Sequence, residues 1–260
     1  MILHQIDNSV GNYNYNTRIY SGIEWKPHFH GNYELIYAVN GSTEIVVNGV
    51  RDTLFQGELV LISPYTVHSL SVDKNCKNWI GVFSEDHIIS FAQKNKYTRF
   101  SKFRCSDDIT KILSDHLFFE GKPDHYMLIS CLYMVCNECA KNSTPISIGH
   151  GNDFITKVIG YISDNLSESI SLKDISEKLN YEYHYFSSLF HDCFGMNFKS
   201  FINILRFEQA CRMLGDKNLT VTDICNSCGF GSIRNFNRVF KTLYGTTPSV
   251  FRQQAVTTAE

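Results

Sequence analysis

The sequence predicts two domains: an N-terminal antiparallel β-barrel followed by helices, and an all-α C-terminal domain with two helix-turn-helix units. Three observations lead there. Short apolar runs alternate with turn signals from about Tyr15 to Phe83, helical spacing takes over after Ser84, and the last third repeats one helical pattern at a constant offset of 50 residues. The expected boundaries are 1–105 for the barrel, 106–142 for a helical linker or dimerisation region, and 153–260 for the domain with the two helical units.

In the first stretch the runs are Glu34–Val39, Thr43–Val47 and Glu58–Ile62. They are separated by Asn40-Gly41, Asn48-Gly49, Gln56-Gly57 and Ser63-Pro64. Short strands with turn residues at regular spacing are the pattern of a small barrel or sandwich. Beyond Ser84, Ile109, Ile112 and Leu113 share one face of a helix predicted over Asp107–Phe119. Leu128, Cys131, Leu132, Val135, Cys136 and Cys139 share a face of a second, over Asp124–Lys141. Its Leu128, Leu132, Val135, Cys139 side suits a dimer seam and a cover for the barrel equally well. Residues 142–152, rich in Gly, Ser, Pro and Asn, read as a linker. From Asp153 onward the pattern is helical.

The repeat pairs Phe186, Leu189, Phe190, Gly195 and Phe201 with Phe236, Val239, Phe240, Gly245 and Phe251. Each copy opens on a short amphipathic helix, with Leu172, Ile175 and Leu179 in the first and Val221, Ile224, Cys225 and Cys228 in the second. Ser176 and Cys225 are small enough for a close helix crossing. Breaks follow at Asn180-Tyr181 and Gly229-Phe230, where Asn and Gly tolerate left-handed backbone. A longer helix comes next, stopped by Gly195 or Gly245. Helix, tight turn, longer helix is the helix-turn-helix pattern, whose second helix enters the major groove.

In the second copy Phe236, Val239, Phe240 and Leu243 form the core stripe of the longer helix. Arg234, Asn237, Arg238 and Lys241 lie opposite. Ser232 can cap the helix and aim backbone N–H groups at a phosphate. Arg can bond guanine bidentately and Asn can bond adenine, so this face has the chemistry of base readout; a merely solvated polar face is the plainer reading. In the first copy the core stripe is Phe186, Leu189, Phe190 and Cys193. The outer face, His184, Ser187, Ser188 and His191, can hydrogen-bond but supplies little fixed charge.

Composition sets limits on these readings. The formal net charge is −2, and the stretch from residue 153 carries equal numbers of basic and acidic residues. Binding to a polyanion must then rest on where the charges sit, with a shallow salt dependence for one monomer. No run of about 18 apolar residues exists, so no membrane span is expected. Met1–Asn8 lacks the pattern of a secretory signal. Nine cysteines, an odd count, suit reduced thiols in the cytoplasm. Cys225-x-x-Cys228 reads as packing rather than a zinc site, since both lie on the core side and no second pair accompanies them. There is no Gly-rich phosphate loop or Ser nucleophile motif.

The stretch Asp223–Phe230 followed by Phe236–Arg252 resembles the signature of the AraC/XylS family of bacterial regulators, and Leu205–Leu214 resembles the helix that links the family's two units. The resemblance covers about Phe154 to Arg252. It implies base-reading roles for His184, Tyr185, Ser187 and Ser188 in the first unit, and for Ile233, Arg234, Asn235, Asn237 and Arg238 in the second. Arg234 replaces a Ser common in the family, and the first unit lacks an Arg often found near Ser188. The resemblance further implies a transcription regulator, most often an activator. Its partners would be double-stranded DNA, a small-molecule effector and RNA polymerase, and it would act as a homodimer with no membrane attachment.

Gly22, His28-Phe29-His30, Glu34 and Gly41 match the first motif of cupin-type barrels, which many family members carry as sensors. Gly57, Pro64 and His68 resemble the second, with Thr66 where a Gly is usual. His28 and His30 alternate on a strand and so face one side; Glu34 and His68 can converge on them. Three imidazoles and a carboxylate suit a divalent transition metal, although no cofactor is required. A metal-free pocket for a sugar or related hydroxylated effector, and simple structural histidines, remain alternatives. At the level of the whole protein the alternatives are a ligand-independent regulator controlled by a partner protein and a metal-dependent cupin enzyme fused to a DNA-binding domain; the resemblance favours a non-enzymatic regulator.

Overall fold

A computed structural model describes residues 3–4, 15–95, 98–121, 123–144, 150–194 and 196–257. The chain divides into two compact units, one built chiefly on residues 13–147 and the other on 148–260. Among the described residues the first holds nine strands: β1 (Leu3–His4), β2 (Tyr15–Tyr20), β3 (Ile23–Phe29), β4 (Tyr33–Asn40), β5 (Ser42–Val47), β6 (Val50–Phe55), β7 (Leu59–Ile62), β8 (His68–Val72) and β9 (Lys77–Phe83). A short 3-10 turn (Glu85–Ile88) leads into α1 (Ile89–Lys94), followed by α2 (Asp107–His116) and α3 (His125–Asn142).

The strands form two sheets, ordered β1-β3-β8-β5-β6 and β2-β9-β4-β7. Pairing is antiparallel as expected, except that β1 runs parallel to β3. Turn chemistry sets the hairpins. Asn48 and Gly49 have φ of 49° and 78°, the left-handed pair that a two-residue hairpin turn between β5 and β6 requires. Ile36, Ala38, Val60, Ile62 and Ile80 from one sheet meet Ile45, Leu54, Leu70 and Val72 from the other in a shared core.

Every residue of β4 from Tyr33 to Ala38 is buried. Unbroken burial means that both faces are covered. Glu34, Ile36 and Ala38 point toward the other sheet, while Tyr33, Leu35 and Tyr37 join Leu113, Leu128, Leu132 and Val135 of α2 and α3. Each such large side chain contributes roughly 1.5–3 kcal/mol by leaving water. Trp79 on β9 seals this layer: its indole N–H donates to the Phe119 carbonyl at 3.0 Å, and its ring lies over Gly81, where a Cβ would collide with it.

Several expectations need adjustment. The helix expected over Asp107–Phe119 ends at His116, because Leu117 and Phe118 turn inward to the core. Ile112, placed on its apolar face, is 38% exposed. The choice for α3 is settled: Leu128, Leu132, Val135 and Cys139 are at most 1% exposed within one chain, so they cover the sheet and are not free to be a seam. The linker expected through Asn152 is shorter, since a helix begins at His150; residues 145–149 lie outside those described. So do Gly195 and all of Met1–Asn8 except Leu3 and His4. No helix among the described residues is long and apolar enough to cross a membrane.

The second unit contains α4 (His150–Asp164), α5 (Leu172–Lys178), α6 (Tyr183–Phe194), α7 (Phe198–Leu214), α8 (Val221–Ser227), α9 (Ile233–Tyr244) and α10 (Pro248–Thr257). The repeat is structural as well as sequential. α5 and α8 each start with a capping box, Ser171 with Asp174 and Thr220 with Asp223. Each helix then breaks at a left-handed residue, Asn180 (φ 58°) or Gly229 (φ 73°). Ser176 and Cys225 are buried at the crossings. α7 joins the two cores: Phe201 packs on Phe190 and Phe194, and Phe207 packs on Phe240. Leu189, Cys193 and Leu243, expected as core, are half-buried flanks. Cys225 and Cys228 are buried packing residues, and Cys228 Sγ rests 3.7 Å from Met213 Sδ.

Gly229 is where this framework tolerates least. A Cβ there would fall 2.6 Å from the Leu166 carbonyl oxygen, whereas Gly231 (φ 71°) has open space around it. Gly231→Ala should cost about 1–2 kcal/mol, the left-handed penalty alone. Gly229→Ala should cost roughly 2 kcal/mol more, because the clash adds to that penalty. Urea midpoints of the two variants decide; equal losses would show that the carbonyl contact carries no weight.

Candidate nucleic-acid interface and metal centre

α9 separates its faces cleanly. Phe236, Val239 and Phe240 are buried, Arg234, Arg238 and Lys241 are exposed, and Asn237 is half-buried. The N-cap is Ser232, whose hydroxyl accepts from the Asn235 N–H at 3.2 Å; Gly245 at φ 80° closes the far end. No acidic residue lies on α9, so its exposed face is cationic.

Asn235, one of the expected base readers, is already engaged within the protein. Its amide donates to the Phe230 carbonyl at 3.0 Å, and its oxygen accepts from Arg238 Nη2 at 2.9 Å. It links the turn to the Arg238 guanidinium and holds that group in one orientation. The sequence contains the i, i+3 spacing for this contact, but nothing in the spacing says which partner Asn235 takes.

The first unit differs in charge. His184, Tyr185 and Ser188 are exposed on α6 and Ser187 is half-buried. Glu182 caps this helix, accepting from the backbone N–H groups of His184 and Tyr185 at 2.9 and 2.8 Å. Those bonds hold its carboxyl below the ordinary Glu range. A carboxylate thus stands at the helix end where the second unit has a serine. The capping boxes and Glu182 are functional supports that the sequence reading passed over. The signal of the capping boxes, Ser/Thr three residues before Asp, is present in both copies.

In the first unit of the chain, the four cupin-motif residues come together. His28 lies on β3 opposite His68 on β8, Glu34 lies on β4 of the other sheet, and His30 sits just past the end of β3. The register slips between Trp25 and His28, at Pro27, which has no N–H to give the ladder. All four side chains are at most 2% exposed, and one ligand atom from each lies within 4.8 Å of the others.

The proton positions follow from the partners. Each imidazole Nδ1 meets a backbone carbonyl: His28 with Lys26 at 2.8 Å, His30 with Asn32 at 3.0 Å, His68 with Thr66 at 2.8 Å. A carbonyl only accepts, so all three Nδ1 atoms carry hydrogen and donate. The three Nε2 atoms then turn toward Glu34. Its Oε2 lies 2.8 Å from His30 Nε2 and 3.3 Å from His68 Nε2, while His28 Nε2 and Glu34 Oε1 are buried without partners. Four acceptors facing one another repel unless a cation sits among them, either extra protons or a metal.

The titration of these groups reflects this. Burial lowers His28 to about 4, with the neighbouring His68 charge acting in the same direction. Burial alone would raise Glu34, but His68 and the bonds from both imidazoles hold it well below the carboxylate range. Burial would lower His68, yet the Glu34 charge and bond raise it. Beside the centre, Trp25 meets His28 edge-on at 5.9 Å and lines, with Arg18 and Tyr20, a crevice of about 20 Å³. That is room for about one water.

Known proteins agree with this division. Residues 175–254 match the model of a helix-turn-helix domain, and residues 16–82 match that of the AraC-like ligand binding domain. The chain is 19% identical over 252 residues to the melibiose operon regulatory protein of Escherichia coli (strain K12), covering 87% of this chain and 83% of that one. It is 22% identical over 268 residues to the Msm operon regulatory protein of Streptococcus mutans serotype c, covering 97% and 95%. A solved structure of ToxT from Vibrio cholerae aligns over 93% of this chain and 98% of its own, with a TM-score of 0.45 and 16% identity. A ligand-binding β unit joined to paired helix-turn-helix units defines a DNA-binding transcription regulator. The chain carries the ligand-binding and helix-turn-helix domains of AraC-type regulators, and the relatives it aligns with over most of its length are regulators of this kind.

In metal-free protein, His28 should remain the neutral Nδ1–H tautomer down to about pH 4, and His68 should stay charged above the range of an ordinary histidine. The signs oppose. An unfolded His28 takes a proton near 6.5, so its burial favours folding above that pH and the benefit is lost as pH falls toward 4. The His68 contribution is complete below its unfolded value and is lost as pH rises through its raised one. Long-range 1H–15N correlation reads both; a charged His28 at pH 6, or a proton on its Nε2, would contradict the geometry.

Proposed function

We propose that this regulator senses its effector through a divalent transition metal held by His28, His30, Glu34 and His68. The supporting observation is the set of inward-facing acceptors, two of them buried without partners, whose outer nitrogens are locked by carbonyls. Locking the outer nitrogen of a histidine ligand is how proteins fix the inner lone pair toward a metal. Three nitrogens and one oxygen suit zinc, iron or manganese among biological ions. Bound there, a metal supplies a Lewis-acid point for an effector oxygen. The chain's own residues orient the donors and exclude water.

The effector is best read as a sugar or related hydroxylated metabolite, a reading favoured by the name of the melibiose operon relative. The crevice beside Trp25 has room for about one water, so an effector that reached the centre from this side would select a more open state. Resemblance to the family supports action as a cytoplasmic homodimer that activates transcription with RNA polymerase and performs no turnover of its own. Because the inner stripe of α3 is covered, a dimer contact would use its outer surface, where Tyr126 is 80% exposed. On DNA, the second unit reads bases through Arg234, Asn237 and Arg238, with Ser232 and Lys241 toward phosphate and Asn235 orienting Arg238. The first unit contributes His184, Tyr185, Ser187 and Ser188 with less electrostatic weight. Its barrel, 1–105, its connecting helices, 106–142, and its DNA-binding region, 153–260, act as sensor, relay and reader.

Two measurements test these assignments. Full-length protein dialysed against zinc or manganese should retain about one ion per chain. Glu34→Gln and His68→Ala should each weaken binding by at least the roughly 10–100-fold that loss of a supporting group costs. If wild type retains none, the centre is a metal-free pocket. Arg238→Ala should lower affinity for a selected operator by about 1–3 kcal/mol and relax preference at one base position. A uniform loss on all sequences would make Arg238 a phosphate contact instead.

A further inference from the structure

Arg99 is only 7% exposed, yet no described residue accepts a hydrogen bond from it, and its Nε and Nη1 atoms are fully buried without partners. Its place is fixed on both sides. The carbonyl of Thr98 accepts from Ser63 Oγ at 3.1 Å, and Phe100 is buried in the helix-side core. Burial pulls the guanidinium down to about 10, and no carboxylate opposes that; the one group acting the other way is Tyr33. Tyr33 is 2% exposed and stacked on Phe83 at 5.9 Å, and its hydroxyl makes no hydrogen bond among the described residues.

A guanidinium keeps its proton in any protein environment, so it cannot escape burial by becoming neutral. Leaving a buried charge unpaired is among the most destabilising arrangements known, and apolar replacement commonly stabilises. An unpaired group of this kind needs an ordered water or an ion as its partner; the full positive charge favours an anion. Tyr33 belongs to the outward-facing set of β4, with Leu35 and Tyr37, whereas Glu34 faces the other sheet. The Arg99–Tyr33 pair therefore lies across the sheet from the histidine centre, near Cys136 and Cys139 of α3.

We propose that Arg99 and the Tyr33 hydroxyl form a second binding site, for a small oxyanion (a carboxylate or a phosphate), on the helix-covered side of the sheet. Five N–H donors and a phenol match the acceptor oxygens of such an anion; the one carboxylate whose charge reaches Tyr33 is that of Glu85, which is exposed and makes no ion pair with Arg99 among the described residues. The near-complete burial of both side chains restricts the ligand, or the part that enters, to a small group, for which acetate and inorganic phosphate serve as probes. Occupation would tie β4 to the segment before Phe100 beneath α3. This site is independent of the metal reading.

Thermal melting of the full chain tests it, with sodium phosphate, sodium acetate and sodium chloride at equal ionic strength. Wild type should gain a saturable rise of about 3 °C or more in Tm with phosphate or acetate over chloride. Whichever anion acts at the lower concentration identifies the ligand class. Arg99→Met should melt at or above wild type in chloride and show no such rise. Should Arg99→Met fail to fold, Arg99→Lys keeps the charge without the planar fork and should respond at least several-fold more weakly. No saturable rise with either anion, or an equal rise in the variant from general salting, would overturn the site.

Discussion

Strand β4 is the constraint on which the sensing unit depends. Its even residues line the space between two sheets and its odd residues carry the helical layer, so no position between Tyr33 and Ala38 faces water. Glu34 is charged and fully enclosed on this strand. Such a carboxylate is tolerated only because three imidazoles converge on it from β3, β8 and the intervening turn. The apolar packing of Ile36, Ala38 and Ile62 beside it holds the two sheets together and so fixes the spacing of the four donors. The same strand presents Tyr33 on its opposite face. One element thereby connects a polar centre, an apolar core and the cover formed by α2 and α3.

The DNA-binding unit obeys a different constraint, the close crossing of paired helices. Ser176 and Cys225 are small because a neighbouring helix needs the space, and Asn180 and Gly229 turn left-handed because the chain must reverse within two residues. Once the crossing is set, the aromatic stripe of α9 faces α7 and the cationic stripe faces out. The polarity of the interface is thus a by-product of core packing. Asn235 adds a finer level, connecting the turn carbonyl of Phe230 to the guanidinium of Arg238.

Much of this was legible in the residues alone. The turn pairs Asn48-Gly49 and Gln56-Gly57, the stripe Phe236, Val239, Phe240 and the convergence of His28, His30, Glu34 and His68 follow from local periodicity and turn chemistry. What escaped depends on contacts between distant segments. The early end of α2 reflects Leu117 and Phe118 turning into a core supplied by β4 and β9. The parallel pairing of β1 leaves no trace in a two-residue strand. The slip at Pro27 aims His28, but periodicity alone would have kept the strand regular. Arg99 gave no signal, because an arginine in a sequence carries no mark of whether a carboxylate waits nearby. The division between sensing and reading segments was readable, but how α3 uses its apolar stripe was not.

The two recognition helices are unequal partners. One ends in a serine cap beside fixed cations; the other is capped by a carboxylate and shows only histidine and hydroxyl groups. A promoter read by such a lopsided pair would experience uneven selection along its length. On the proposed reading, bases beneath the cationic helix would be held by strong, direction-specific contacts and would drift slowly. Those beneath its neighbour would be freer to change, so that expression strength could vary without loss of the regulatory address.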